Sequence, residues 1–168
     1  MRSPERVALE RTVRRRAFAN LVLGLVDVAA STSARLAVEA LDGDSVLLRF
    51  RDVRTLVREG GVYGFASRDF TLAVAFPEDW PFRRAAMPHP VVLLPDDFAH
   101  PNSDGHLFCL DTAGIVPARL AELIYQNLAL HAGHFRLDHA VDATAAAFVR
   151  AHLRELPADP RPLRSAPR

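Results

Sequence analysis

Lysine is absent from the sequence. The 21 basic residues are all arginines, and against 20 acidic residues they leave a net charge of +1. So small an excess does not predict the strongly basic surface on which nucleic-acid binding depends. An arginine-only composition is typical of a GC-rich genome, and it also leaves the chain without side-chain amines. The sequence leaves open whether codon bias or selection against amines is the cause.

Cysteine and long apolar runs are also scarce. Cys109 is the single cysteine among 168 residues, which excludes an internal disulfide and fits a reducing compartment. No apolar run reaches the roughly 18–20 residues of a membrane helix, and the charged N-terminal stretch lacks the apolar segment of a secretory signal. We therefore expect a cytoplasmic protein that does not engage membranes. The length and the 49% hydrophobic content predict one globular domain.

The order of sequence patterns predicts an α+β fold. Ser3-Pro4-Glu5 is typical of a helix start, and the helix is expected to run to about residue 24, with residues 25–33 left open. Alternating apolar residues then predict a four-stranded antiparallel meander. A long irregular segment precedes C-terminal helices that begin at Pro117 and after Asp142. The predicted buried face of the first helix comprises Leu9, Val13, Ala17 and Leu21, and the predicted strands lie near 36–41, 46–51, 70–76 and 91–94.

The end of the chain has a different composition. Four of the 12 prolines fall within residues 156–168, together with several arginines. Such a segment is typical of chain that does not pack. We therefore expect a domain over residues 1–155 and a flexible Pro- and Arg-rich tail over 156–168.

Three short motifs lie on these elements. FPEDWPF at residues 76–82 follows the third strand, His-Pro-Asn stands at 100–102, and Cys-Leu-Asp at 109–111 follows Gly105. Each motif alone is weak, because a packed corner, a turn or a buried cysteine accounts for it. In this order and on these elements they resemble the ubiquitin-conjugating enzyme family (the UBC fold), as a divergent bacterial member. The resemblance spans about residues 3–153.

The resemblance implies a fold and a chemistry. The fold is an N-terminal helix, a four-stranded antiparallel meander, a long active-site loop and C-terminal helices. Cys109 would accept the C-terminus of a ubiquitin-like protein as a thioester and pass it to an amine, for which a thiol is well suited. Asn102 would stabilise the oxyanion or order the loop, and both roles stay open. His100 would brace the loop through hydrogen bonds. The chain would need no cofactor, since ATP is used by the activating enzyme.

Five other polar residues were considered, and two of them, His106 and Asp138, have two interpretations each. His106, close to Cys109, would favour the thiolate or act as a base, or is an exposed loop histidine. Asp138 would orient the incoming amine, as the resemblance implies, or is an acid that flanks a helix. His131, His134 and His139 cross a predicted helix end without a supporting cluster, so no metal site is predicted.

The resemblance also implies partners. The first helix would dock on the adenylating activating enzyme, through a basic surface of Arg11, Arg14, Arg15 and Arg16, or these arginines form a solvated face. Bacterial relatives lie in operons that encode a ubiquitin-like protein, an activating enzyme and a JAB-type peptidase. Several such operons serve antiphage defence. No nucleic-acid partner is expected.

Two other functions compete with conjugation. A non-catalytic UBC-fold module would bind a ubiquitin-like protein or scaffold a conjugation complex, and the loop from Asn102 to Cys109, one residue shorter than in most members, favours it. A Cys–His hydrolase would pair Cys109 with a distant histidine. Such enzymes commonly place the cysteine at a helix N-terminus, whereas the next helix here begins only at Pro117.

Overall fold

A computed structural model describes residues 3–83, 89–110 and 117–164. The architecture is α+β, with an N-terminal helix, an antiparallel sheet and C-terminal helices. The helices are α1 (Pro4–Ala30), α2 (Pro117–Leu128) and α3 (Ala143–Ala151), followed by a 3-10 turn at Leu153–Glu155. The strands are β1 (Leu36–Ala40), β2 (Ser45–Glu59), β3 (Val62–Ala75), β4 (His89–Leu94), β5 (Ser103–Asp104) and β6 (Leu107–Phe108). Within the described residues, every helix is too short or too polar to cross a bilayer.

Helix α1 begins as predicted, but its buried face coincides with the predicted one only at Leu21. The Ser3 side chain accepts a hydrogen bond from the Arg6 amide, and the helix continues to Ala30. Its buried residues are Phe18, Leu21, Leu25 and Val28. The prediction that Leu9 and Val13 are buried is wrong, because they are 64% and 41% exposed.

The orientation of α1 about its own axis explains why Leu9 and Val13 are exposed. The Phe18 ring meets the Phe76 ring edge to face, with 5.8 Å between centroids. At about 100° per residue, Leu9 lies on the side of the helix opposite Phe18. Aromatic packing against the end of β3 therefore decides which of two apolar stripes faces the core.

Over the described residues, the sheet has six antiparallel strands in the order β1-β2-β3-β4-β6-β5, so the predicted count of four is wrong. The four predicted strands are present, but β2 and β3 extend well beyond the predicted ranges 46–51 and 70–76 and form a long hairpin that turns at Gly60-Gly61, both at positive φ. The two additional strands lie in the segment predicted to be irregular. Each has only two residues, which is too short for an alternating pattern to indicate a strand.

The core lies between one face of the sheet and the helices. Inward residues of the three long central strands, including Phe50, Leu72 and Val92, pack with α1 and with Ile124 and Leu128 of α2. A second cluster forms under α3, where Leu56, Leu130, Ala145 and Val149 meet Ala158. Asp142 caps α3 as predicted, since its carboxylate accepts hydrogen bonds from the Thr144 and Ala145 amides.

Residues 156–164, called here the C-terminal strap, pack against the domain. Ala158, Asp159 and Leu163 are buried, and the Ala158 amide donates to the Ala129 carbonyl at 2.8 Å. The Tyr125 hydroxyl donates to the Arg161 carbonyl at 2.6 Å. The prediction of a flexible tail is therefore wrong for this segment. Its buried apolar side chains and its polar network offset the conformational entropy that is lost when the segment is ordered. Residues 165–168 lie outside the described residues.

Candidate active site

A small hairpin presents Cys109 to solvent. Strands β5 and β6 turn at Gly105, which has φ +56°, the left-handed region that favours glycine. Phe108 is buried and Cys109, the next residue, is exposed. The Cys109 amide donates to the Asn102 carbonyl at 2.9 Å. An anchored backbone with a solvent-facing thiol is the arrangement that a nucleophilic cysteine needs.

His100 lies beneath this hairpin and is buried. Its Nδ1 accepts from the Asn102 amide at 3.0 Å, so its Nε2 carries the proton and donates to the Asn127 carbonyl at 3.1 Å. The Phe108 ring packs edge-on to the imidazole, with 4.7 Å between centroids. Burial lowers the pKa of His100 to about 3. Because both nitrogens are engaged and the ring is neutral, His100 has the contacts of a brace rather than of a base for Cys109.

This burial predicts a pH-dependent stability. Between pH 6.5 and about 3 an unfolded histidine binds a proton that folded His100 cannot. The free energy of unfolding should therefore fall as the pH is lowered through that window, by up to about 1.4 kcal/mol per pH unit from this residue. Urea denaturation at a series of pH values measures the slope.

Two variants separate the His100 contribution from that of other groups. His100→Gln keeps a donor toward Asn127 but does not titrate, so we expect a shallower slope between pH 6.5 and 4. His106→Gln removes an exposed histidine and should leave the slope unchanged. Equal slopes in wild type and His100→Gln would contradict the assignment.

The Asn102 side chain connects the hairpin to the loop between α2 and α3. Its Nδ2 donates to the carbonyls of Arg136 at 2.8 Å and His139 at 3.3 Å, and its Oδ1 accepts from the Arg136 amide at 2.7 Å. The neighbouring Pro101 carbonyl accepts from the amides of Val141 and Asp142. Both amide hydrogens of Asn102 thus have acceptors. These contacts favour the loop-ordering role, since an oxyanion role requires Nδ2 to leave a carbonyl.

A pocket of approximately 440 Å³ opens beside Cys109 and Asn102. Helix α2 contributes Leu123 and Asn127 to its wall, and the loop after α2 contributes Arg136 and His139. Sequence reasoning missed Asn127, and it missed Arg136 as part of the site. Asn127 bonds to His100, and Arg136 bonds to Asn102, through backbone groups, and a backbone group leaves no signal in residue identity.

The structure places the other candidate residues as follows. Asp138 is exposed and pairs with Arg136 at 2.8 Å, and this hydrogen bond lowers the pKa of Asp138 to about 2. His106 is exposed. Burial lowers the pKa of His134 below its usual value, and the nearby His131 adds to the effect. No group of three or more possible metal ligands is found in the part of the chain that the structure describes. Asp111 lies outside that part.

The α1 arginines do not form one free basic surface. Arg11 and Arg15 are exposed, whereas Arg14 is 14% exposed. Its guanidinium binds the Asp44 carboxylate at 2.7 Å and the carbonyls of Phe76 and Pro77 at 3.0 and 2.6 Å. Arg14 therefore fastens α1 to the 76–82 corner, where Trp80 also packs on Phe76.

No family model matches the sequence, and a search of curated proteins finds no significant match.

Proposed function

We propose that the chain has the UBC fold and is a conjugating enzyme for a ubiquitin-like protein. One observation carries the proposal: Cys109 stands exposed beside a pocket, while its backbone is tied to the His-Pro-Asn segment at residues 100–102. The order of a long helix, an antiparallel sheet, an irregular segment and C-terminal helices agrees with that fold.

The proposed reaction has two acyl transfers. In the first, the Cys109 thiolate attacks the carbonyl carbon of a modifier held as a thioester on the activating enzyme. A new C–S bond forms at Cys109, and the activating enzyme's sulfur leaves as a thiolate. In the second, an acceptor amine attacks the same carbon, the C–S bond breaks, the Cys109 thiolate leaves and the amine loses a proton to solvent. ATP is spent earlier, by the activating enzyme.

The site residues divide this work. Cys109 carries the acyl group. Asn102 and His100 hold the loops that form the pocket, through the contacts to Arg136, His139 and Asn127. The exposed Arg11 and Arg15 would face the activating enzyme, with Arg14 confined to the internal contact. Cytoplasmic localisation, a JAB-type peptidase partner and a role in antiphage defence belong to the same proposal.

Intact-protein mass spectrometry under non-reducing conditions tests the proposal. The chain is incubated with ATP and with the ubiquitin-like protein and activating enzyme that the proposal implies are encoded in the same operon. We expect an adduct of the modifier's mass minus one water that thiol reductant removes. Cys109→Ala should abolish it, and His106→Ala should leave it. If the activating enzyme becomes charged and wild type shows no adduct, the conjugating-enzyme proposal fails.

A non-catalytic module is the second candidate. The engaged amide of Asn102 favours it, because no amide hydrogen of that side chain is directed at an incoming acyl group. Such a module would bind the modifier without forming a thioester. Its affinity for the modifier would be equal in wild type and in Cys109→Ala, as measured by calorimetry.

A further inference from the structure

We infer that the pocket beside Cys109 is bordered by arginine in place of lysine so that the acyl group passes to an amine on another molecule. This inference rests on the proposed function and specifies the fate of its thioester. It joins two independent observations: the whole chain lacks lysine, and the pocket that Cys109 lines also contains Arg136.

Arg136 is placed where a lysine would compete for the acyl group. Its backbone is held by Asn102, which accepts from the Arg136 amide and donates to the Arg136 carbonyl. Its side chain is 66% exposed and reaches Asp138 at 2.8 Å. Because its backbone is fixed in this way, a lysine at position 136 would project from the same point of the pocket rim.

Arg119 occupies a second position near the pocket. It lies on α2 one helical turn before Leu123, which lines the pocket, and it is exposed. Residues four positions apart share a helix face, so Arg119 and Leu123 are neighbours on the surface of α2.

The chemistry distinguishes the two cations. The arginine guanidinium stays protonated and delocalised and does not attack a thioester. A lysine is neutral in only about 0.1% of molecules at pH 7.5, but a group tethered beside its target has an effective concentration near millimolar or above. Its Nζ would attack the carbonyl carbon, form an amide, release the Cys109 thiolate and lose a proton to solvent. The product is an isopeptide, which thiol reductant does not cleave.

Structural need does not explain every arginine. Arg14, Arg35 and Arg161 each make several directed hydrogen bonds that a lysine could not copy. The exposed pair of Arg49 with Glu39, and that of Arg6 with Glu10, would form equally well with lysine. The exclusion of lysine therefore extends to positions where the fold does not require a guanidinium.

Charge-preserving variants test the inference. Arg136→Lys and Arg119→Lys add an amine near Cys109, whereas Arg49→Lys adds one on β2, three strand positions from β6 in the sheet. Each variant is loaded with the modifier as in the experiment above and is then kept without an acceptor. It is treated with thiol reductant, and its mass is measured by mass spectrometry. We expect Arg136→Lys to accumulate at least tenfold more reductant-resistant adduct than wild type, mapped to position 136. Arg119→Lys should show a smaller rise, and Arg49→Lys should stay within twofold.

The outcomes are distinguishable. If wild type carries no reductant-sensitive adduct, the proposed function fails and the inference fails with it. If wild type is charged but Arg136→Lys and Arg119→Lys match it in resistant adduct, the inference is overturned and the proposed function stands. If Arg49→Lys accumulates as much reductant-resistant adduct as Arg136→Lys, the claim that a lysine must lie at the pocket rim to compete is overturned. Far-UV circular dichroism of each variant confirms that the fold is kept.

Discussion

Asp159→Ala should lower the free energy of unfolding by about 3 kcal/mol. The Asp159 side chain is 1% exposed and receives hydrogen bonds from Arg35 at 2.9 Å and from the Arg161 guanidinium at 2.8 Å. The Arg54 amide also donates to it. Removing the carboxylate leaves Arg35, itself 17% exposed, without its anionic partner. Urea denaturation at pH 7 measures the loss.

Asp52→Ala is the matched control for Asp159→Ala. Asp52 binds the same Arg161 at 2.7 Å, but its carboxylate is 60% exposed, so water replaces most of what the pair provides. We expect a much smaller loss of stability than for Asp159→Ala. Equal effects would mean that the strap is held by its exposed pair and not by the buried network.

The same carboxylate should contribute to acid unfolding. Burial by itself raises the pKa of Asp159, but hydrogen bonds from the Arg161 side chain, its amide and the Arg54 amide outweigh burial and set the pKa at about 2. A carboxyl group with a lowered folded-state pKa stabilises the fold fully above its unfolded value of 3.8. That contribution is lost as the pH falls from about 4 to 2, and Asp159→Ala should not show it.

Asn102→Ala should release the loop between α2 and α3. The substitution removes the acceptor of the Arg136 amide and the two hydrogen bonds that Nδ2 donates to partly buried carbonyls, at a cost of about 2 kcal/mol. Exchange of the Arg136 amide hydrogen should accelerate at least about tenfold, since about 1.4 kcal/mol of lost protection is a factor of ten. Hydrogen exchange followed by NMR measures it.

Ser103→Ala is the matched control for the loop. The Ser103 hydroxyl donates to the His100 carbonyl at 3.2 Å, a hydrogen bond within the same turn. Its removal should leave the Arg136 amide protected. Unchanged exchange in Asn102→Ala would disprove the loop-ordering role and return Asn102 to direct stabilisation of the oxyanion.

Local signals allowed much of the fold to be predicted. The start of α1 and the Asp142 cap depend on residues within one helical turn, so the sequence indicates them directly. Apolar alternation predicted β1, β4 and about half of each of β2 and β3, whereas residues 52–59 and 62–69 were not predicted as strand. The exposure of Leu9 could not be predicted, because it depends on how Phe18 meets Phe76. The strap was missed because its proline content indicates disorder, while its burial depends on distant Arg35.

For the candidate site, the sequence could predict which residues are involved but not which backbone groups they bind. Cys109, His100 and Asn102 were named by motif, and the structure joins them through the Cys109 and Asn102 amides. Their other partners are backbone groups as well, namely the carbonyls of Asn127, Arg136 and His139 and the amide of Arg136. Every residue has a carbonyl, so only the path of the backbone determines which carbonyls are within reach.

The bond between Arg35 and Asp159 also fixes an order of events during synthesis. The two residues are 124 positions apart, so at about 5–20 residues per second a ribosome needs roughly 6–25 s to travel from one to the other. The β2–β3 hairpin, whose partners are close in the chain, has time to pair within that interval. Until the strap has been translated, the Arg35 guanidinium therefore has no Asp159 carboxylate to bind, and the contacts that join the strap to the sheet form after the hairpin has paired.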